Sequence, residues 1–278
     1  MRLAVIVTTY NWPQALKLVL AGYGAQTDTG FALYVADDGS TPDTADVVSA
    51  FRAQAPFPVT HVWQPDEGFR AAAVRNRALA QADADYIVFA DGDCVPRPGF
   101  VASHKVLAER GYFVSGHRAL LSPAFTRAAL ASGAPLFDWS LARWAYHWAR
   151  GDINKVFRLL VIPGTWGRTQ RGWAGVKTCN LGAWRADLER INGFEESYEG
   201  WGLEDSDLAI RLLRAGCRRR GARFAAPTIH LWHPENPREH FARNQERLTA
   251  CLRSTEIRAR KGLSGHARHP LARDARST

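Results

Sequence analysis

Cysteine is scarce and scattered in this 278-residue chain: Cys94, Cys179, Cys217 and Cys251 stand far apart and form no CxxC pair. Such spacing fits reduced thiols better than a disulfide framework. Long apolar runs are missing too, and without about 18 consecutive apolar residues no membrane-spanning helix is expected. The opening residues, Met1-Arg2-Leu3-Ala4-Val5-Ile6-Val7, lead straight into a strand pattern with neither a charged leader nor a cleavage site, so a cytoplasmic protein is expected. No internal repeat or low-complexity segment interrupts the chain, and the one stretch expected to be disordered begins near Gly262. Acid is in short supply: 27 Asp and Glu face 36 Lys and Arg, a net charge of +9. That excess admits nucleic acid, an anionic membrane surface or a phosphate-bearing substrate as partner. Much of the arginine gathers late, at Arg218-Arg219-Arg220 and in a tail that includes Arg253, Arg258, Arg268, Arg273 and Arg276. The tail reads either as a solvated basic end or as an attachment to the membrane surface.

What is present is a hydrophobic content of 46%, enough for a full core. Residues 2–9, 32–36, 59–63 and 86–90 read as strands, and residues 13–21, 44–54 and 71–81 between them as helices. This alternation predicts an α/β fold with a mainly parallel central sheet flanked by helices, and ligands beyond the carboxyl ends of the strands. A helix after Pro98-Gly99 and a strand over 112–115 follow. Residues 138–160 carry Trp139, Trp144, Trp148, Phe157 and Leu160 in a helical pattern. Buried core fits most of these aromatics, and a face that stacks on a sugar ring or meets a membrane interface is the alternative. Residues 205–215 read as an amphipathic helix closed by Gly216, and 225–229 as a strand.

The polar clusters fall at strand ends. Asp91-Gly92-Asp93 follows the apolar run Tyr86-Ile87-Val88-Phe89-Ala90. Two carboxylates around a glycine that admits close backbone approach make a hard oxygen site for Mg2+ or Mn2+ able to bridge a diphosphate. Asp37-Asp38-Gly39-Ser40 ends another strand; Asp38 there can accept hydrogen bonds from a base or ribose, while Ser40 or Thr41 serves the turn. Gly200-Trp201-Gly202-Leu203-Glu204-Asp205-Ser206-Asp207 sets three acids at a helix start, beside a tryptophan suited to pack on a sugar while a carboxylate takes a hydroxyl proton. His230-Leu231-Trp232-His233 offers two imidazoles to complete a metal site, or two surface histidines.

In this order the clusters resemble those of a family 2 glycosyltransferase of the GT-A fold, over roughly residues 2–250. Asp66-Glu67-Gly68-Phe69-Arg70, leading to Arg75-Asn76, and Gly200-Trp201-Gly202-Leu203-Glu204-Asp205 are similar to bacterial chondroitin-polymerase-type transferases. The second stretch also resembles the carboxy-terminal segment of β-1,4-galactosyltransferases. The resemblance implies an inverting, metal-dependent hexosyltransferase that moves a hexose or N-acetylhexosamine from a UDP-sugar donor to a glycan or lipid-linked acceptor, in surface polysaccharide or lipopolysaccharide assembly. It implies Thr8, Tyr10 and Asp38 on uracil and ribose, Phe69 and Arg70 closing over the nucleotide, and Asp91 on the ribose or the ion. Asp93 would be the main ligand of Mn2+ or Mg2+, His233 a second, and His230 would stand where galactosyltransferases have a methionine ligand. Asp205 would be the catalytic base, with Glu204 and Trp201 on the acceptor. Arg168, Arg171 and Lys177 are candidates for a mobile lid, and Cys94 reads as a packing residue.

The implied organisation is a nucleotide-sugar half over 1–119, an acceptor and catalytic-base half of the same domain over 120–250, and a basic tail over 251–278. Contact with the inner membrane surface is a candidate role for that tail. The rivals are a sugar-phosphate nucleotidyltransferase and a non-catalytic basic protein binding nucleic acid or glycan. The first needs a Gly-rich, Arg/Lys-bearing loop after the first strand, where Tyr10-Asn11-Trp12-Pro13 stands. A nucleic-acid binder would not gather three acidic clusters at strand ends, so no nucleic-acid partner is expected.

Overall fold

The computed structural model describes residues 1–163, 166–235 and 238–266. The first half runs β1 (Leu3–Thr9), α1 (Pro13–Gly24), β2 (Phe31–Asp37), α2 (Pro42–Arg52), β3 (Val59–Trp63), α3 (Ala71–Gln81), β4 (Tyr86–Asp91) and β5 (Cys94–Pro96). It continues through α4 (Phe100–Leu107), β6 (Tyr112–Ser115), β7 (Arg118–Leu120), α5 (Pro123–Ser132) and α6 (Leu141–Ala149). The remainder is β8 (Thr169–Gln170), β9 (Asn180–Trp184), α7 (Arg185–Arg190), α8 (Glu204–Arg214), β10 (Arg218–Gly221), β11 (Thr228–His230) and α9 (Phe241–Arg253).

Among the described residues the main sheet has eight strands in the order β3-β2-β1-β4-β9-β6-β10-β8, and β5, β11 and β7 form a second, three-stranded sheet. The strands β3, β2, β1 and β4 are parallel neighbours, whereas β9 runs antiparallel to both β4 and β6. Why the inner strands are apolar throughout follows from their period of two. On β1, Leu3, Val5 and Val7 join one core with Leu16, Val19 and Tyr23 of α1, while Ala4 and Ile6 join the opposite core with Val74 and Leu79 of α3. On β4, Tyr86, Val88 and Ala90 face the first core, and Ile87 and Phe89 the second.

One expectation fails. The helical pattern of 138–160 does not give one helix: a 3-10 turn (Leu136–Asp138), α6 and a second 3-10 turn (Val156–Leu159) occupy the stretch, broken at Gly151, whose φ is +78°. Glycine takes that backbone without strain, and the helix ends at Ala149, one residue after Trp148. Of its aromatics, Trp139 and Trp144 are buried, whereas Trp148 and Phe157 are exposed. Past Gly262, residues 263–266 are ordered. The Leu263 amide donates to the Asn192 carbonyl (2.9 Å), and His266 Nε2 lies 2.6 Å from Glu196 Oε1. Residues 267–278, with Arg268, Arg273 and Arg276, lie outside the described residues. Among the described residues no helix is long and apolar enough to cross a membrane.

Candidate active site

The turn after β1 and the turn after β2 are tied together. The Asn11 amide donates to Ser40 Oγ (2.9 Å), and Asn11 Oδ1 accepts from the Thr41 amide (2.8 Å). Asn11 has φ +43°, which asparagine tolerates better than most residues. Asp37 is consumed by structure, accepting from the Ser40 amide (2.8 Å) and meeting His61 Nε2 at 2.9 Å. Asp38 faces the cleft, and its carboxylate accepts from the Arg70 amide (2.7 Å) and Gln64 Nε2 (2.6 Å). Burial still outweighs those bonds and pushes its pKa up. Gly39, at φ +96°, lets the chain pass Asp66: a Cβ there would stand 2.5 Å from the Asp66 amide nitrogen.

Thr8, Tyr10, Phe69, Asp91 and Asp93 line the same cleft of ≈ 460 Å3 as Asp38. The Arg70 side chain is held by Glu67 and the Pro65 carbonyl (2.6 Å each), and it is the Arg70 amide that reaches Asp38 in the cleft. Gly92 packs tightly within the protein. Its close approach is to β1, where the Gly92 amide donates to the Thr8 carbonyl (2.7 Å) and an added Cβ would meet that oxygen at 3.0 Å.

From the second half come Lys177, Trp201, Glu204, Asp205, His230 and His233, which line this cleft as well. Strand register delivers His230: β11 pairs antiparallel with β5, setting His230 opposite Cys94, the residue after Asp93. His230 Nε2 then lies 3.4 Å and His233 Nε2 3.3 Å from the same Asp93 oxygen, Oδ2. Trp12 packs edge-on against His233, with ring centroids 6.1 Å apart. Burial would raise the Asp93 pKa, but hydrogen bonds from both imidazoles outweigh it and hold the carboxylate well below its usual range. His233 is raised in turn, first by its bond to Asp93. This donor set, one carboxylate and two imidazoles, fits a divalent ion that accepts mixed oxygen and nitrogen ligands, Mn2+ better than Mg2+. The neighbouring thiol of Cys94, whose pKa burial drives well up, lies within reach of the same group, beside Asp93 and His230.

The loop before α8 is strained as well as exposed. Gly200 and Gly202 have positive φ, and so does Leu203 (φ +79°), a conformation that costs a residue with a Cβ about 1–2 kcal/mol. The strain presents Trp201, which stacks on Phe241 (6.1 Å, 25°), and sets Glu204 and Asp205 at the helix start. Asp205 is buried, and burial, then the adjacent Glu204 charge, raises its pKa to about 6, although Lys177 Nζ stands 3.6 Å away. Of the basic trio assigned to a lid, Lys177 lines the cleft. Arg168 and Arg171 flank β8, at the far edge of the sheet.

Arg75 received no role from the sequence, yet it joins the clusters. Its guanidinium is buried on the apolar face of α3 and donates to Thr8 Oγ1 (3.0 Å), Asp91 Oδ1 (3.2 Å) and Glu204 Oε1 (2.9 Å). A charge among Ala71, Ala72, Val74, Ala78 and Leu79 on the buried face of α3, which also holds Asn76, is the signal that could have found it, since a buried cation needs partners. Arg118 also lines the cleft and interacts with Asp91 and Asp93. A second groove, of ≈ 580 Å3 between α1 and α2, is apolar and carries only Lys17 and Asp46 as charges, so it offers no convergent chemistry.

The family described as glycosyl transferase family 2 matches residues 4–158, more than half of the chain. The chain belongs to that family. Residues 167–234, which carry Lys177, Glu204, Asp205, His230 and His233, match a second description, the N-terminal domain of galactosyltransferase. Among family 2 relatives, hyaluronan synthase of Pasteurella multocida is 28% identical over 240 residues, covering 77% of this chain and 23% of that protein. Validoxylamine A glucosyltransferase of Streptomyces hygroscopicus is 29% identical over 232 residues, covering 76% and 51%. Chondroitin synthase of Escherichia coli is 25% identical over 258 residues, covering 84% and 35%. The chain thus spans about half or less of these relatives. The GT-A fold is shared with solved structures. S. aureus TarS in complex with UDP-GlcNAc has a TM-score of 0.60 at 15% identity, over 95% of this chain and 69% of that one. A Pyrobaculum calidifontis mannosyltransferase in complex with GDP-Man and Mn2+ has a TM-score of 0.56 at 20% identity, over 91% and 62%.

Proposed function

We propose that this family 2 protein is an inverting, metal-dependent transferase that moves a hexose or N-acetylhexosamine from a UDP-sugar to a hydroxyl of a glycan or lipid-linked acceptor. One observation carries the reading: Asp38, Asp93, Asp205 and His233, far apart in the chain, line a single cleft. Residues 1–119 contribute the nucleotide side and residues 120–250 the base and acceptor side, with 251–278 as a basic tail.

Asp38, Thr8 and Tyr10 bind the nucleoside, with Phe69 over it; Tyr10 is oriented by the bond from its hydroxyl to Asp66 (2.9 Å). Asp93, His233 and His230 would hold Mn2+ or Mg2+, and such an ion supplies positive charge to the departing diphosphate. Asp91 is fixed by Arg75 and serves the ribose or the ion. Trp201 and Glu204 hold the acceptor. The acceptor oxygen attacks the anomeric carbon as its proton passes to Asp205; the carbon–oxygen bond to the diphosphate breaks in the same step, and UDP leaves with the electron pair. One displacement inverts the anomeric configuration, and no covalent enzyme intermediate is needed. A pKa near 6 suits Asp205 to this work, for it is ionised at neutral pH yet more basic than an ordinary aspartate. Lys177 beside it neutralises charge at the cleft.

The role extends to assembly of a surface polysaccharide or lipopolysaccharide at the cytoplasmic side of the membrane. UDP release from a panel of UDP-, GDP- and CMP-sugars with Mn2+ or Mg2+ tests the proposal against Asp93→Ala. Release from UDP-sugars that the substitution abolishes supports it, and preference for GDP- or CMP-sugars overturns the uridine assignment.

A further inference from the structure

Helix α6 shows its apolar side to solvent. Of its nine residues Trp144 alone is buried, held between Trp139 and Phe125 with ring centroids 5.0 and 6.4 Å away. At 3.6 residues per turn, Trp148, Leu141, Ala145, Ala149, Ala142 and Tyr146 form an unbroken arc of about 160°. All six are exposed. A surface helix ordinarily turns such an arc to the core. The apolar surface continues past Gly151 onto Phe157, Val161 and Ile162, exposed by 43%, 47% and 39%.

The frame around this arc is basic. Between Leu141 and Pro163 stand Arg143, Arg150, Lys155 and Arg158 against one carboxylate, Asp152. That carboxylate is already engaged by His147 (2.8 Å) and Arg150 (3.5 Å). Arg223 adds a further cation over the Phe157 ring, 5.5 Å from its centroid. Exposed tryptophan and tyrosine on an apolar arc, with unneutralised arginine and lysine beside them, complement a surface that is apolar below and anionic above. An acidic protein groove would match the charge, but it would not call for aromatic residues spread over two successive segments.

Location adds a consequence. Arg158 Nη1 donates to the Arg118 carbonyl (2.9 Å), the Ser122 amide donates to the Asp152 carbonyl (2.8 Å), and Leu121 pairs with Ile153. Arg118, Leu120 and Leu121 line the cleft, so the segment that follows α6 is tied to its wall.

We propose that α6 and the following segment to Ile162 dock the protein on an anionic phospholipid bilayer, beside the mouth of the cleft. The docking is independent of the transfer reading and is measured without any sugar nucleotide. The full chain is sedimented with vesicles of phosphatidylglycerol and phosphatidylcholine in equal parts, and with phosphatidylcholine alone. The wild type is expected to partition onto the anionic vesicles. Tyr146→Ser combined with Trp148→Ser should lower that partition at least about tenfold with an unchanged thermal midpoint, because both side chains are exposed. Arg268→Ser, Arg273→Ser and Arg276→Ser together should leave most of it. Absence of binding by the wild type overturns the proposal, and so does loss in the tail variant with retention in the double variant. A double variant that turns a dimer into a monomer while its vesicle partition stays unchanged also overturns it, because a second copy would then be the occupant.

Discussion

Asp205 should control the acid limb of turnover. Its pKa of about 6 comes from burial and from Glu204, so a base that must be ionised is about 90% competent at pH 7 and about 10% at pH 5. The kcat/KM for a UDP-sugar, followed by UDP release in saturating Mn2+, should therefore fall about tenfold between pH 7 and pH 5, with unit slope below pH 6. Lys177→Met removes the cation 3.6 Å away; that lysine is half exposed, so the limb should move up by less than about one unit. Asp205→Asn should lower kcat roughly 10²–10⁴-fold and keep donor affinity. Stability should move the other way. The folded-state pKa of Asp205 lies above its unfolded value, so the protonated form favours the fold. That stabilisation is complete below 3.8 and lost as the pH rises through about 6. A shift of this size corresponds to at most about 3 kcal/mol, so Asp205→Asn should be as stable as the wild type or more stable at pH 8, with the difference vanishing near pH 4. A flat rate profile from pH 5 to 8, or full turnover by Asp205→Asn, would refute the general-base assignment.

Three further outcomes follow from the same cleft. His233→Ala should raise the Mn2+ concentration needed for half-maximal activity about 10–100-fold, and superimposable titration curves would return His233 to a surface role. Arg75→Met should cost about 3–5 kcal/mol in urea unfolding, because it strands Asp91 and Glu204 without their buried cation; a loss under about 1 kcal/mol would mean that solvent already shields the pair. Gly39→Ala, which drives a Cβ into the Asp66 backbone at positive φ, should destabilise the fold by about 1–3 kcal/mol and weaken UDP binding, as calorimetry would report. Unaltered binding and stability there would show that the turn can move aside.

Local order along the chain was enough for much of this protein. Unbroken apolar runs on β1 and β4 specify strands covered on both faces, and the intervening helical periods specify a parallel α/β sheet. Acids adjacent in sequence, Asp91-Gly92-Asp93 and Glu204-Asp205, declare themselves because strand ends and helix starts are where carboxylates meet ligands. Tertiary structure alone decided the rest, since the deciding contacts join residues far apart in the chain. The β5–β11 register brings His230 to Asp93, and Arg75 ties Thr8, Asp91 and Glu204 into one network. The direction of an apolar arc is likewise invisible in a helical period. The same pattern fits a helix turned inward or outward, and only the seating of Trp144 between Trp139 and Phe125 leaves Tyr146 and Trp148 facing water.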